Sequence, residues 1–463
     1  MLILLFAFVA VQLAVALWLV RRIGTEDDFL VAGRRLGPAL AATSIFATWF
    51  GAESCVGAAG AAYEGGWTWN APEPFGYGVC LILTGVFFAK RLWRLRITTM
   101  ADFLSRRFGP SSERLAALLL LPSSLLWAAA QIRAFGQVVA INSNGAVSAE
   151  HAVMLAAGIA IVYTVAGGLL ADVYTDLLQC AALLVGLGAL AVAVWCNVPD
   201  AVTPPAAAPT PPPGGLEPTG SVLGHLEQWA IPICGSIVAQ EVISRALAGR
   251  SASVARGAAI AGGAVYVVVG MIPLAIGAVG PQLAAGLDDP ENILPALSRQ
   301  LLPDALNLLF AGALIAAILS TVDSCLLVVS SLVARNLAPR SAAADEPAKG
   351  RLALARWSVV GGGLVAYGLA CSDYNVADLV EEASGFGSAG MFVLACVGLY
   401  GRRGKSTAAN LTLATGLLSW VAGRHLAPDL VPHPYLTSIA AAATAFVIGC
   451  GVERLRAAPA GGE

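Results

Sequence analysis

The run 316–336 reads AAILSTVDSCLLVVSSLVARN and sets Ser320, Thr321, Asp323 and Ser324 in the middle of an apolar stretch. Spacings of three and four bring Ala317, Ser320 and Ser324 to one helical face, so hydroxyls and a carbonyl can converge there. Hard cations take oxygen ligands, and this is the densest oxygen cluster in the apolar part of the chain. Serines also bond back to their own helix, but that leaves the carboxyl of Asp323 unaccounted for. A second group lies in the stretch 37–62, where Trp49, Gly51, Glu53 and Ser54 occur together and Gly57 and Gly60 follow. An ionisable group at membrane depth costs at least about 2.5 kcal/mol, so Glu53 requires a partner or a wet cavity. Asp176, in DVYTDLLQ, falls at the inner end of its helix, as a functional group or an exposed cap. Arg133, between Gln131 and Gln137 on an apolar helix, is expected to pair with Glu53, Glu73 or Glu241.

Holding such groups in place is the task of the helices around them. Gly51, Gly57 and Gly60 point to a helix broken in mid-membrane, which is tolerable where the freed backbone lines a cavity or binds an ion. Close packing of small residues would use the same glycines. The stretch 222–245 carries Pro232 and Gly235 near its middle and opens the second half of the chain. Interrupted helices at corresponding places in two halves are the mark of a transporter built from inverted repeats, although proline also simply kinks helices.

The chain is 57% hydrophobic and 12% charged over 463 residues, against about a quarter charged for a soluble domain. Apolar runs long enough to cross a bilayer are read at 2–20, 37–62, 70–89, 114–141, 150–170, 174–196, 222–245, 252–280, 304–334, 352–371, 376–400, 406–423 and 434–452. This is an all-α integral membrane protein of about thirteen transmembrane helices. With the N-terminus outside and the C-terminus in the cytoplasm, all of the 27 Lys and Arg except Arg133, Arg299 and Arg424 fall on the inner side, as the positive-inside rule asks. No basic residue precedes the first run and Arg21 and Arg22 follow it, so 2–20 reads as a retained helix and not a secretory leader. The proline-rich segment 197–220 is expected to be an extended external linker. It separates a first repeat, 37–196, from a second, 221–400, with C-terminal helices over 401–463, all within one transporter domain, 1–463. The amphipathic, basic segment 98–108 suits a short helix on the inner membrane surface. The nine cysteines show no metal-ligand spacing or paired framework, and no nucleotide-binding or hydrolase motif occurs. Only a few residues follow Arg454, so no output domain is expected there.

At these residues the chain resembles the sodium:solute symporter family. The matching stretches are DDFLVAGRRLG at 27–37, TTMADFLSRRFG at 98–109, YTVAGGLLADVYTDLLQ at 163–179 and the run 316–336. The resemblance implies the LeuT-type fold, a five-plus-five inverted repeat with two broken helices. It implies a sodium held by Ala317, Ser320 and Thr321 on one helix and by Ala47 and Phe50 on the other, the alanines and phenylalanine through carbonyls. A second sodium, bound in some members, maps to Ser54, Asp176, Ser320 and Ser324, with Asp323 adjacent. Within the family, ATWFG at 47–51, PFGYGVCLILTGVFFAK at 74–90, LLWAAA at 125–130 and EQWAIP at 227–232 are similar to the high-affinity choline transporter branch. There, aromatic rings box a quaternary ammonium through cation–π attraction. Trp49, Tyr77 and Trp127 match three of those positions, and Ala239 stands where a fourth ring is usual. Glu53 and Glu241 are additions, and with Gln131 they complete the expected solute site.

Aromatic faces beside carboxylates favour an amine-bearing solute, choline-like or an amino acid. The expectation is a plasma-membrane symporter that couples sodium to uptake of such a solute by alternating access. Its partners would be the solute, sodium and the bilayer, with no other cofactor, no nucleic acid and no obligate protein partner. Proton coupling through Asp176 and Asp323, or solute sensing without net transport, are the alternatives. No set of nucleophile, base and orienting residue supports an enzyme.

Overall fold

The structure, a computed structural model, describes residues 25–66, 72–143, 146–198, 222–338, 348–372 and 374–457, with isolated positions before them. The expected helix 2–20 and nearly all of the expected linker 197–220 lie outside the described residues. The apolar runs elsewhere are helices. In chain order they are α1 (Pro38–Trp49), α2 (Glu53–Gly65), α3 (Pro72–Arg94), α4 (Met100–Phe108), α5 (Pro110–Asn142), α6 (Ala149–Ala166) and α7 (Gly168–Asn197). They continue with α8 (Val222–Val238), α9 (Gln240–Ala248), α10 (Ala252–Leu283), α11 (Ile293–Leu301) and α12 (Asp304–Leu337). The last are α13 (Ala348–Ala370), α14 (Val376–Gly385), α15 (Ser388–Tyr400), α16 (Ser406–Val421) and α17 (Pro434–Ala457).

Eight of these helices are long and apolar enough to cross a membrane, and three bent pairs raise the number to eleven. The pairs are α1 with α2 at 60°, α8 with α9 at 47°, and α14 with α15 at 42°. The first is the break expected at Gly51; the second lies in the expected helix but falls at Ala239, four residues beyond Gly235, with Pro232 and Gly235 inside an irregular turn of α8; the third was not foreseen. The count of about thirteen is not reached among the described residues, because α16 has only 16 residues and the first helix falls outside them.

Two groups of helices face each other. α10 packs along α1, α2 and α3, whereas α12 packs against α5, α6 and α7. From Phe310 to Ser331 every residue of α12 is buried, as expected of a helix enclosed by others on all sides. The α7 face bearing Leu177, Val185 and Val192 is exposed, which is the apolar surface that lipid covers. Gly168 separates α6 from α7 at a φ of 56°, and a Cβ there would lie 2.5 Å from the Phe29 ring. Only glycine meets both conditions.

The segment 98–108 differs from its expected placement on the membrane surface. Thr99 and Asp102 close a capping box at the start of α4, and Met100, Phe103, Leu104 and Phe108 are buried within the protein. Its apolar face therefore packs on α5 instead of lipid. Asp102 pairs with Arg335 at 3.0 Å and accepts from Asn336 at 2.9 Å, while the Met100 N–H donates to Gln240 at 2.7 Å. Arg34 adds donations to the carbonyls of Ile97 at 2.6 Å and Leu247 at 3.4 Å. A collar of polar contacts thus ties α4 to α9 and to the C-terminal end of α12. At the opposite end, both carboxylate oxygens of Glu227 on α8 accept backbone N–H groups at the start of α17, from Tyr435 at 2.5 Å and Leu436 at 2.8 Å.

Candidate functional site

The break between α1 and α2 is stabilised by side chains on other helices. The Phe50 N–H still bonds the Phe46 carbonyl at 2.8 Å, but the Ala52 N–H donates to Gln131 Oε1 of α5, also at 2.8 Å. The Thr48 carbonyl, which Ala52 would have used in a continuous helix, lies 3.2 Å from the Thr321 hydroxyl of α12. That hydroxyl is also 3.2 Å from the Ala317 carbonyl. Three oxygens from α1 and α12 so meet beside Ala47 and Phe50. Ser320, next on α12, turns the other way. Its hydroxyl bonds Asp176 at 2.5 Å and Asp172 at 3.2 Å on α7.

Ser320 thus belongs to a second buried group. Asp176 also accepts from Ser44 of α1 at 2.7 Å, and Ser324 donates to Asp172 at 3.2 Å. Arg245, fully buried on α9, pairs with Asp172 and donates to Ser44 at 3.1 Å and Ser324 at 2.5 Å. Asp323 is buried beside them, and neither of its oxygens has a hydrogen-bond partner. The neighbouring Thr164 hydroxyl is committed to the Ala160 carbonyl at 2.7 Å. Three carboxyl groups therefore share one arginine. A small cavity lined by Arg245, Ser324, Ser331 and Thr98 runs from this group towards the α4 collar.

Ser54 is not part of this group. It sits ten residues beyond Ser44, about 15 Å along a helix path, and shares a hydrogen bond of 2.6 Å with the Tyr266 hydroxyl. Tyr266 in turn donates to Glu73 at 2.5 Å. Glu73 has an extended backbone, φ −104° and ψ 130°, as a residue preceding proline prefers. The Tyr77 hydroxyl is shared between Glu53 and Ser384, the latter at 3.2 Å. Above these carboxylates three rings meet. Trp49 lies 5.0 Å from Trp127 and 6.5 Å from Tyr77, and Tyr77 lies 6.1 Å from Trp127, between centroids. All three are buried.

Two other expectations fare differently. Arg133 donates to the carbonyls of Ala370 at 3.3 Å and Ser372 at 2.7 Å, so it caps the end of α13 and does not pair with Glu53, Glu73 or Glu241. Glu241 accepts from Ser124 at 2.6 Å, one helical turn before Trp127. Ala239 is the extended residue between α8 and α9, at φ −60° and ψ 127°. The residues that sequence reasoning missed are Asp172, Arg245, Ser44, Tyr266 and Glu73 as a site residue. The spacing of four between Asp172 and Asp176, both inside an apolar helix, was the available signal. Arg245 gave none, since an arginine at an inner helix end satisfies the charge rule without further explanation.

A model of the sodium:solute symporter family matches residues 29–416. The human high affinity choline transporter 1 is 31% identical over 352 residues, which are 70% of this chain and 58% of that protein. The Drosophila melanogaster high-affinity choline transporter 1 is 30% identical over 330 residues, 68% of this chain and 52% of that one. The match therefore spans less than two thirds of the length of these relatives. A solved structure of a Na+-coupled sialic acid symporter, in a substrate-bound outward-open state, superposes with a TM-score of 0.82 over 97% of this chain and 96% of that one. At 19% identity this likeness speaks for the fold alone, which is the LeuT type. The breaks in α1–α2 and α8–α9, the enclosed α12 and a family match from the segment before α1 into α16 lead to one conclusion: the chain belongs to the sodium:solute symporter family.

Proposed function

We propose that this protein couples sodium entry to uptake of a small amine-bearing solute by alternating access, with Trp49, Tyr77, Trp127 and Glu53 facing the solute. The observation that carries the reading is the α1–α2 break, which joins the aromatic rings on one side to the Thr321 oxygens on the other. A sodium held by Thr321 and the carbonyls of Ala47, Phe50 and Ala317 would clamp α1 onto α12 and so preform the solute site. Ser320 contributes through its link to Asp176. The excess of carboxyl groups over arginine around Asp176, Asp323 and Ser324 suits a second sodium, with Ser44 in the role first given to Ser54. The repeats 37–196 and 221–400 then rock about this centre, in a plasma-membrane protein whose N-terminus is outside.

The energetics suffice. A tenfold sodium gradient supplies about 1.4 kcal/mol and one charge crossing 100 mV about 2.3 kcal/mol. Together they support solute accumulation of a few hundredfold per sodium. The test is uptake of radiolabelled choline, betaine, amines and amino acids into proteoliposomes under an inward sodium gradient. Accumulation above equilibrium that requires sodium and is lost in Thr321→Ala and Ser320→Ala is the expected result. Uptake that ignores sodium and follows a proton gradient would overturn the coupling, and binding without uptake would favour a sensor.

A further inference from the structure

Two carboxyl groups lie close to the three rings, Glu53 through the Tyr77 hydroxyl and Glu73 through Tyr266, which packs edge-on against Phe50 beside Trp49. Glu53 and Glu73 are 9% and 8% exposed, and each takes a phenol on one side, Tyr77 and Tyr266 respectively. The Oε2 atom of each is buried without a hydrogen-bond partner. Among the described residues, neither carboxylate forms an ion pair with Lys or Arg. The Trp49 Nε1 and Gln131 Nε2 atoms, also buried, lack partners too. Buried charge is costly unless paired and hydrogen-bonded, and an unmet buried acceptor carries its full desolvation penalty.

The two free carboxyl oxygens indicate which groups a ligand would bring to them. Two carboxyl groups with no Lys or Arg beside them among the described residues, each with a free oxygen, suit a ligand that brings two cationic N–H donors. A quaternary ammonium satisfies the rings but offers no N–H, and a single protonated amine neutralises only one carboxylate. We propose that the solute is a small dication with N–H donors, an aliphatic diamine or aminoalkyl guanidine, held between the Trp49, Tyr77 and Trp127 rings and the free oxygens of Glu53 and Glu73. This assignment rests on the reading that the ring pocket receives the transported solute. Ala239 fits it, because a slim methylene chain has no need of a fourth ring.

The experiment is equilibrium binding to the purified full-length protein in sodium buffer, with 1,4-diaminobutane, 1-aminobutane and choline as probes, alongside proteoliposome uptake of the same three. The diamine should bind at least about tenfold more tightly than the monoamine, the worth of one charge-assisted hydrogen bond, and more tightly than choline. Glu53→Gln and Glu73→Gln should each bring the diamine-to-monoamine ratio close to one. Choline or the monoamine binding as tightly as the diamine to the wild-type protein overturns the assignment, and so does a ratio unchanged in both variants. Sodium-driven choline uptake without diamine preference leaves the symport reading standing and sinks the dication. Diamine preference in binding without sodium-driven uptake does the reverse.

Discussion

At position 51 the first helix approaches its neighbours so closely that a single added carbon has no room. A Cβ there would lie 2.7 Å from Gln131 Oε1 and 2.9 Å from Thr321 Oγ1, the two groups that complete the broken backbone. Gly51→Ala should therefore displace both and abolish sodium-dependent uptake, while purified protein retains a monodisperse elution profile. Arg245 presents the opposite case, a large side chain that cannot be removed cheaply. Its loss strands Asp172, and breaking a buried pair in this way costs about 3–5 kcal/mol. Arg245→Ala should lower the melting temperature markedly, and adding Asp172→Asn should recover much of it. A double variant no more stable than the single one would mean the pair does not carry this energy. The oxygens of Ser320 and Thr321 were legible because hydroxyls and a carboxyl in an apolar run have few uses. Which way each hydroxyl turns was not, since Ser320 and Thr321 sit side by side in sequence and serve different neighbours. The Glu73–Tyr266–Ser54 chain was equally hidden, because it joins residues up to 212 positions apart.

Helices and their breaks were easier to read than their contacts. Glycine marks the bend in α1–α2, and Pro232 and Gly235 flagged the interrupted helix whose bend falls four residues later at Ala239; hydropathy placed the spans around them. The bend between α14 and α15 turns on Gly387, at a φ of 68°, and its signal, two glycines in SGFGS, was submerged in a continuous apolar run. The amphipathic pattern of α4 was correctly seen but its partner was not, because an apolar face reads the same whether lipid or protein covers it. Docking of α4 has a pH signature. Burial pushes the Asp102 carboxyl up, but Arg335, the Thr98 and Thr99 N–H groups and Asn336 outweigh it and hold it below its ordinary value of 3.8. A carboxyl lowered by folding contributes stability above its unfolded value, and that contribution is lost as pH falls through the folded one. Thermal melts of the purified protein should weaken below about pH 4 with a slope that Asp102→Asn reduces. An unchanged acid slope in that variant would separate α4 docking from this carboxyl.

For the molecule as a whole, the distribution of arginine and lysine was the most informative pattern, since it constrains every span at once. On the topology expected from it, the ends of α7 and α13 lie outside and the end of α17 inside. Cys196 and Cys371 are exposed, so a membrane-impermeant maleimide should label them on intact cells and reach Cys450 only after permeabilisation. Labelling in the opposite order would invert the topology. Such patterns could not show which carboxyl groups are satisfied by neighbours and which are not, as Glu241 is by Ser124 while Glu53 and Glu73 each keep a free oxygen. The Glu227 clasp has a mechanical consequence. It fastens the broken helix α8 to α17, whose Val447 and Ile448 side chains are 70% and 55% exposed on the apolar surface. Under the proposed cycle, lateral pressure on α17 would be transmitted to the broken helix α8. On that reading turnover would follow bilayer thickness: uptake rates across a series of acyl-chain lengths should vary in the wild-type protein and level off in Glu227→Ala, where the clasp is lost.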